Sequence, residues 1–231
     1  MLLSPGFIRD RAKPPASREQ SLLPPSDVAN AALLRMLDVM LAAMLLVLLS
    51  PVLALLMGAV MAQDGASPLF AHRRYGRGGR TFLCYKIRSM AADADARLAR
   101  LLRSNPAAQA EWARDHKLRD DPRVTRLGNF LRRASLDELP QLINVLRGEM
   151  SFVGPRPIVA AEVRRYGRYF RGYCSVRPGI TGIWQISGRN DIGYRRRVAM
   201  DCLLARRLTL RIYAEVLVRT ALSVATRRGA Y

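Results

Sequence analysis

The longest apolar run in the chain extends from Val39 to Gln63, and no charged residue lies between Asp38 and Asp64. A helix of about 20 apolar residues is long enough to span the hydrocarbon core of a bilayer. This run has 25 residues, and a buried helix of a soluble domain is rarely this long and this uniformly apolar. We therefore predict a membrane-embedded helix over residues 30–63.

The pair Ser50-Pro51 interrupts the middle of this run. Proline removes one backbone donor from a helix, and in lipid no water replaces it. One interpretation is a re-entrant helix, broken at this pair, that enters and leaves the membrane on one face while the Ser50 hydroxyl satisfies the freed carbonyl. The other is a spanning helix with a proline kink. The residues alone leave both interpretations open.

The remaining pattern predicts a flexible tail over residues 1–29 and a small domain over residues 64–231. We expect this domain to be of the α+β class and predominantly helical. Residues 80–90 have the β-branched and aromatic content of a strand, and residues 151–159 are extended around two prolines. Helical periodicity predicts two helices separated at Asn105-Pro106.

The net charge of +20 indicates an anionic partner: nucleic acid, phosphorylated small molecules or an acidic membrane surface. Residues 64–231 hold 33 Lys/Arg against 14 Asp/Glu, so the positive-inside rule places this domain in the cytoplasm. The C-terminal residues from 194 to 228 predict basic amphipathic helices, which suit an anionic leaflet or packing on the domain. Three scattered cysteines lack the spacing of a metal site and predict reduced thiols; they are Cys84, Cys174 and Cys202.

The segment "SLDELPQ" carries the first candidate chemistry, the pair Asp137 and Glu138. Ser135 and Glu138 match a capping box, although Pro140 favours a helix that starts nearer Asp137. Helix capping alone would explain both acids. Alternatively, Asp137 is a phosphoryl nucleophile and Glu138 holds Mg²⁺ against phosphates. The spacing leaves both interpretations open.

Several cations could bind phosphate near these acids. Arg156 lies between two prolines that fix the backbone, and its guanidinium fork suits phosphate oxygens. Lys86 and Arg88 share one face of the predicted strand and suit a diphosphate or a solvated edge. Arg177 and Arg189 lie within the Gly-rich segment "RPGITGIWQISGRN", in which Trp184 could stack on a base. The acids and arginines of "DDPRVTR" favour ion pairs with each other.

Read together, "KIRSM", "DPRVTRLGNFLRRASLDELPQLINVLRGEMSFVGPRP" and "RPGITGIWQISGRN" stand in a recognisable order. From about residue 30 to the C-terminus the chain resembles bacterial polyprenyl-phosphate sugar-1-phosphate transferases of the monotopic phosphoglycosyl transferase superfamily. Its short N-terminus and its final "RRGAY" resemble the exopolysaccharide-initiating branch. The resemblance implies transfer of a sugar-1-phosphate, with galactose or glucose as the sugar, from a UDP-sugar to undecaprenyl phosphate with Mg²⁺. It also implies the inner membrane, with the catalytic domain on the cytoplasmic face.

The resemblance also assigns roles by position. Asp137 matches the nucleophile that releases UMP, Glu138 the metal-binding partner and Arg156 the phosphate-binding arginine. Lys86 and Arg88 match basic residues to which we assign phosphate contacts. The break of the family's re-entrant helix matches Ser50-Pro51. The chain departs from the family at two places. Ile87 stands where the family usually has Phe. Polar and aromatic residues are usual at four positions that here hold Leu203, Leu204, Leu208 and Thr209.

Two other classes of function are compatible with parts of this pattern. A membrane-tethered nucleic-acid binder would use the positive charge and show salt-sensitive affinity, but it gives no reason for "SLDELPQ" beside "VGPRP". A non-catalytic scaffold for polysaccharide assembly would release no UMP. We expect no nucleic-acid partner, and the sequence leaves the oligomeric state open, a homodimer included.

Overall fold

The computed structural model describes residues 25–115, 118, 120–187 and 192–225. The predicted tail over residues 1–29 therefore lies outside the described part of the chain except for its last five residues, which begin the first helix. The predicted predominantly helical composition with short strands is confirmed for the described residues.

Helix α1, Pro25–Asp64, contains the apolar run. Among the described residues it is the single helix that is long and apolar enough to cross a membrane, with a mean hydropathy of 2.8 in its most apolar window. The helix passes through Ser50-Pro51, and the Ser50 hydroxyl donates to the carbonyl of Val47 at 2.8 Å. Pro51 leaves that carbonyl without its N–H donor. The prediction that Ser50 satisfies the freed carbonyl is therefore confirmed.

Both halves of α1 are fastened to the rest of the chain. Near its start, the buried carboxylate of Asp38 accepts hydrogen bonds from the hydroxyl of Tyr213 at 2.8 Å and the backbone N–H of Phe152 at 2.9 Å. At its end, Asp64 accepts two hydrogen bonds from Arg88, at 2.6 and 2.5 Å. Between these points Val47 and Leu48 are 76% and 67% exposed, so the middle of the helix presents an apolar surface without protein cover.

Strands β1, Leu69–Tyr75, and β2, Thr81–Ile87, form an antiparallel hairpin in which Leu69 pairs with Ile87. Strands β3, Ser151–Val153, and β4, Gly179–Thr181, pair in parallel. The other helices are α2 Ala94–Ser104, α3 Pro106–Asp115, α4 Arg126–Arg133, α5 Gln141–Leu146, α6 Ala160–Tyr166, α7 Phe170–Tyr173, α8 Ile183–Ile186, α9 Tyr194–Arg207 and α10 Leu210–Ala225. The predicted strand over 80–90 and the helix boundary at Asn105-Pro106 are confirmed.

The main core joins the first half of α1 to α5, β3, α9 and α10. Ala42 of α1 packs there with Val145, Leu204 and Tyr213, all of them buried. The unusual Leu204 is therefore a core residue that seats α9. The basic C-terminal helices do pack on the domain, yet Val218 and Leu222 of α10 remain 59% exposed.

A second apolar cluster joins the latter half of α1 to the segment that carries the candidate acids. Leu53 and Val60 of α1 are buried with Ile87 and Leu131. Leu136 and Leu139, which flank Asp137 and Glu138 in sequence, pack against the same cluster. The acid pair is thereby held directly beside the apolar helix.

Candidate active site

Asp137 and Glu138 lie on a 3-10 turn, Leu136–Glu138, between α4 and α5. Ser135 precedes the turn in a left-handed conformation with φ of 56°, and its side chain caps nothing. Its N–H donates to the Arg132 carbonyl at 3.1 Å. The capping-box interpretation is therefore excluded, because a left-handed Ser135 cannot serve as the extended first cap of a helix. Helix α5 begins only after Pro140.

Lys86 joins the two carboxylates. Its Nζ lies 2.7 Å from Glu138 Oε1 and 3.5 Å from Asp137 Oδ2. Asp137 is buried, and this burial raises the pKa of Asp137 above its usual value. The charge of Lys86 lowers that pKa, while the neighbouring charge of Glu138 raises it again. Lys86 thus supports the ionised form of a carboxylate whose pKa burial raises.

Asn144 positions the strand that carries Lys86. Its side-chain oxygen accepts the N–H of Tyr85 at 3.0 Å, and its amide donates to the carbonyl of Leu83 at 2.7 Å. The amide also donates to Glu149 Oε2 at 2.6 Å. A fully buried side chain therefore pairs with the edge of β2 as another strand would, and it fixes β2 against α5.

Arg156 approaches the same acids from the segment after β3. Its Nη1 lies 3.8 Å from Glu138 Oε1. The segment is held against β4, where Gly154 and Gly179 are so close that a Cβ on Gly179 would lie 2.1 Å from the Gly154 nitrogen. Only glycine permits this approach of two backbones. The guanidinium groups of Arg156 and Arg197 lie 5.9 and 4.8 Å from the ring centre of Trp184, which is buried and supports Arg156 instead of facing a base.

A buried carboxylate, Asp201 of α9, lies behind this arginine. It accepts a hydrogen bond from the hydroxyl of Tyr166 at 2.6 Å. Burial raises the pKa of Asp201 to about 7, although the hydrogen bond from Tyr166 and the charge of Arg156 oppose the rise. The sequence offers no local signal for this residue, because its partners are distant along the chain.

Both sheets and the acid turn meet at one small cavity. Arg74 of β1 lies on its wall together with Lys86, Glu138 and Arg156. The other lining residues are Cys84, Gln141, Pro157, Gly179 and Ile180. The cavity therefore combines the carboxylate of Glu138 with three cationic side chains, and the buried carboxylate of Asp137 contacts one of them, Lys86. Cations of this kind suit the binding of a phosphate group.

Residues 29–227 match the model of the bacterial sugar transferase family. The chain belongs to this family. It is 47% identical over 197 residues to the exopolysaccharide production protein ExoY of Sinorhizobium fredii, covering 85% of this chain and 87% of that protein. It is 48% identical over 171 residues to the undecaprenyl-phosphate galactose phosphotransferase of Salmonella typhimurium, covering 74% of this chain and 36% of that protein.

A third relative is the UDP-galactose-lipid carrier transferase of Erwinia amylovora, 48% identical over 172 residues, of which the match covers 36%. The chain thus matches most of ExoY but about a third of the two longer relatives. These matches confirm the resemblance predicted from the motifs, and they confirm that the protein is a transferase.

In this sugar transferase the structure brings together only part of the predicted site. Asp137, Glu138, Lys86 and Arg156 converge. Arg88 donates instead to Asp64 and to the carbonyl of Ser67 at 2.8 Å, so it fastens the end of α1.

The remaining predicted residues lie elsewhere or outside the description. Arg177 donates to the carbonyl of Gly148 at 2.9 Å, and Arg189 lies outside the described residues. The predicted ion pairing of the "DDPRVTR" segment is confirmed by Arg123 and Asp121, at 2.7 Å. The three cysteines are free in the structure, and Cys84 and Cys202 are buried.

No motif in the sequence predicts a role for Arg74, Asn144 or Asp201. Arg74 was visible only as one of several arginines after the apolar run, since β1 itself was not predicted. Within the described residues no group of three or more His, Cys, Asp or Glu side chains is placed to hold a metal ion. The carboxylate of Glu138, at the edge of the cavity, nevertheless suits Mg²⁺, because this ion commonly uses one or two carboxylates together with substrate phosphates and water.

Proposed function

We propose that the protein transfers a sugar-1-phosphate from a UDP-sugar to undecaprenyl phosphate, as the first membrane step of exopolysaccharide synthesis. The observation that best supports this proposal is a cluster of acids and cations. Lys86 contacts Asp137 and Glu138, and Arg156 contacts Glu138. The leucines beside the two acids pack against α1. The names of the relatives, which include an undecaprenyl-phosphate galactose phosphotransferase, support galactose as the sugar, with glucose as the alternative.

The reaction proceeds in two displacements at one phosphorus atom. A carboxylate oxygen of Asp137 attacks the phosphate next to the sugar, and the bond from that phosphorus to the bridging oxygen breaks, so UMP leaves. A phosphate oxygen of undecaprenyl phosphate then attacks the same phosphorus. The acyl phosphate bond breaks, the Asp137 carboxylate is regenerated, and the lipid carries a diphosphate-linked sugar.

The cations of the cavity offset the charge of this exchange. Lys86 favours the ionised state of Asp137 before attack, and Arg156 is placed to contact phosphate oxygens. Glu138 would hold Mg²⁺, which supplies further charge neutralisation to the donor diphosphate when bound. The buried position of Asp137 excludes water that would otherwise compete with the lipid acceptor.

The contacts of α1 support a re-entrant anchor at the cytoplasmic face of the inner membrane. Asp38 and Asp64 are 26 positions apart, about 39 Å along a straight helix, yet both bond to the same domain. A helix that crossed the bilayer away from the domain would separate these two anchors by the whole hydrocarbon core. Ser50-Pro51 lies midway between them, where a re-entrant helix would turn.

Release of UMP tests the proposal directly. The full chain in nanodiscs containing undecaprenyl phosphate is supplied with a panel of UDP-sugars, and we expect UMP from UDP-galactose or UDP-glucose. Asp137→Asn should abolish UMP release while the protein stays folded and membrane-bound, and Asp120→Asn serves as an exposed control. Label from a UDP-sugar radiolabelled in the sugar should remain on the wild-type protein when the acceptor is omitted.

Other outcomes would overturn particular parts of this proposal. Full activity of Asp137→Asn would exclude the nucleophile, and undiminished turnover after chelation of divalent ions would exclude Mg²⁺. Periplasmic labelling of a cysteine introduced at residue 20 would replace the re-entrant anchor with a spanning helix.

A further inference from the structure

The cavity beside Asp137 holds a cation that the acid pair does not neutralise. Lys86 and Arg156 are directed to Glu138, at 2.7 and 3.8 Å. Arg74, the third cation on the wall, is bridged to a different carboxylate, that of Glu162 on α6, at 3.8 Å. The positive charge of Arg74 is therefore separate from the contacts that hold the two acids.

The pairing of Arg74 is loose for a partly buried guanidinium. The Glu162 oxygen that faces it already accepts the N–H of Val159 at 2.9 Å, which begins α6. Arg74 also donates to the carbonyl of Pro157 at 3.2 Å. Burial lowers the pKa of Arg74, and repulsion from Arg156 lowers it further. These surroundings are short of negative charge, and a bound anion would supply it.

The register of the β1–β2 hairpin places Arg74 at a defined distance from the reacting centre. Arg74 pairs with Phe82 across the hairpin, so it shares a face with Cys84 and Lys86. Four positions separate Phe82 from Lys86, or about 13 Å of strand. Because Lys86 contacts Asp137, Arg74 approaches the cavity from the end away from the nucleophile.

We propose that Arg74 binds the nucleotide-side phosphate of the donor diphosphate, whereas Lys86 and Arg156 bind the sugar-side phosphate beside Asp137. This inference rests on the proposed function, since it assigns the second phosphate of the same donor. A guanidinium fork matches two phosphate oxygens. Arg74 therefore contributes to binding of the donor and of the departing UMP, and it contributes little to binding of the lipid acceptor.

Calorimetric titration of the full chain in nanodiscs with UDP tests this role, alongside steady-state assays of UMP release. Arg74→Gln should weaken UDP binding by about 10- to 100-fold, because it removes hydrogen bonds to a charged group. The KM for the UDP-sugar should rise with it, while the KM for undecaprenyl phosphate stays unchanged. Arg73→Gln is the matched control, since it makes the same charge change at an exposed position on the other face of β1.

A second variant has the opposite expected sign. Glu162→Gln keeps an oxygen to accept the Val159 N–H but removes the charge that competes for Arg74, so UDP binding should strengthen severalfold. This variant decides the question if Arg74→Gln fails to fold. Unchanged UDP affinity in folded Arg74→Gln, or in Glu162→Gln, would overturn the assignment. Wild-type protein that binds UDP through Arg74 but releases no UMP would instead contradict the proposed function alone.

Discussion

The Ser50 hydroxyl donates to the Val47 carbonyl at 2.8 Å, at the place where a proline removes the helical donor. The hydrogen bond compensates for the defect within one turn of α1, and in a lipid environment no water would do so. Serine and proline therefore act as a unit in this position, and their energetic contributions should not be independent.

Ser50→Ala should lower the thermal stability of the protein in nanodiscs. The unpaired carbonyl costs about 1–3 kcal/mol, and each kcal/mol corresponds to a fall of about 2–4 °C in Tm for a chain of this size. The double change Ser50→Ala, Pro51→Ala should recover most of this loss, because an alanine in place of the proline restores the backbone N–H. Ser50→Thr keeps a hydroxyl and is the control. Additive losses in the double variant would contradict the coupling.

Lys86→Met should move the acid limb of the activity profile to higher pH. In the proposed reaction Asp137 must be ionised to attack, and its pKa is already raised by burial and by Glu138. Removal of Lys86 raises this pKa further, so a smaller fraction of Asp137 is ionised at each acidic pH. The kcat/KM for UMP release, measured across pH, reports the limb directly.

Lys86→Arg retains the charge and should leave the limb near its wild-type position. If Lys86→Met lowers the maximum kcat/KM but leaves the acid limb at the wild-type pH, Lys86 acts on the substrate and does not shift the pKa of Asp137.

Asp201→Asn should change how stability depends on pH. The pKa of Asp201 is raised from 3.8 to about 7 in the folded protein. Its contribution to stability is therefore fully present below pH 3.8 and is lost as pH rises through 7. The difference amounts to about 4 kcal/mol at most. Asparagine does not titrate, so the gain in Tm of the variant over wild type should be larger at pH 8 than at pH 5.

The matched measurement uses Asp120→Asn, an exposed aspartate, whose Tm difference from wild type should not vary between these two pH values. If the Tm difference between Asp201→Asn and wild type is equal at the two pH values, Asp201 does not titrate in this range.

Arg88→Ala should lower Tm more than Asp64→Ala, and the double variant should lose less than the sum of the two single losses. Both variants remove the two hydrogen bonds between these residues at the end of α1, and Arg88→Ala also removes those to the carbonyls of Ser67, Ala66 and Met90. The KM for the UDP-sugar should be unchanged in both. A raised KM in Arg88→Ala, without one in Asp64→Ala, would restore the phosphate contact predicted for Arg88 from the sequence.

The sequence was most informative where function depends on neighbouring residues. The uninterrupted apolar run, the Ser-Pro pair and the adjacent acids Asp137 and Glu138 are covalent neighbours, so the periodicity and the order of motifs reveal them directly. The capping box, by contrast, depends on the backbone conformation of Ser135, which the spacing of the residues does not determine. Its spacing is correct, but the packing of Leu136 and Leu139 under α1 accompanies a tight 3-10 turn after a left-handed Ser135.

Only the tertiary structure decided which cations meet the acids. In the sequence Lys86 and Arg88 are equally good candidates for contact with the acids. In the structure Asn144 fixes β2 so that Lys86 reaches Glu138. Arg88 is bound by Asp64 instead. The register of the β1–β2 hairpin places Arg74 on the wall of the cavity. Which cation lies beside the acids depends on contacts between residues far apart in the chain. Long cationic side chains are chemically alike, so only the position of the packed backbone distinguishes them. The sequence by itself therefore determined the apolar helix, the acid pair and the family, and folding selected the cations that face the acids.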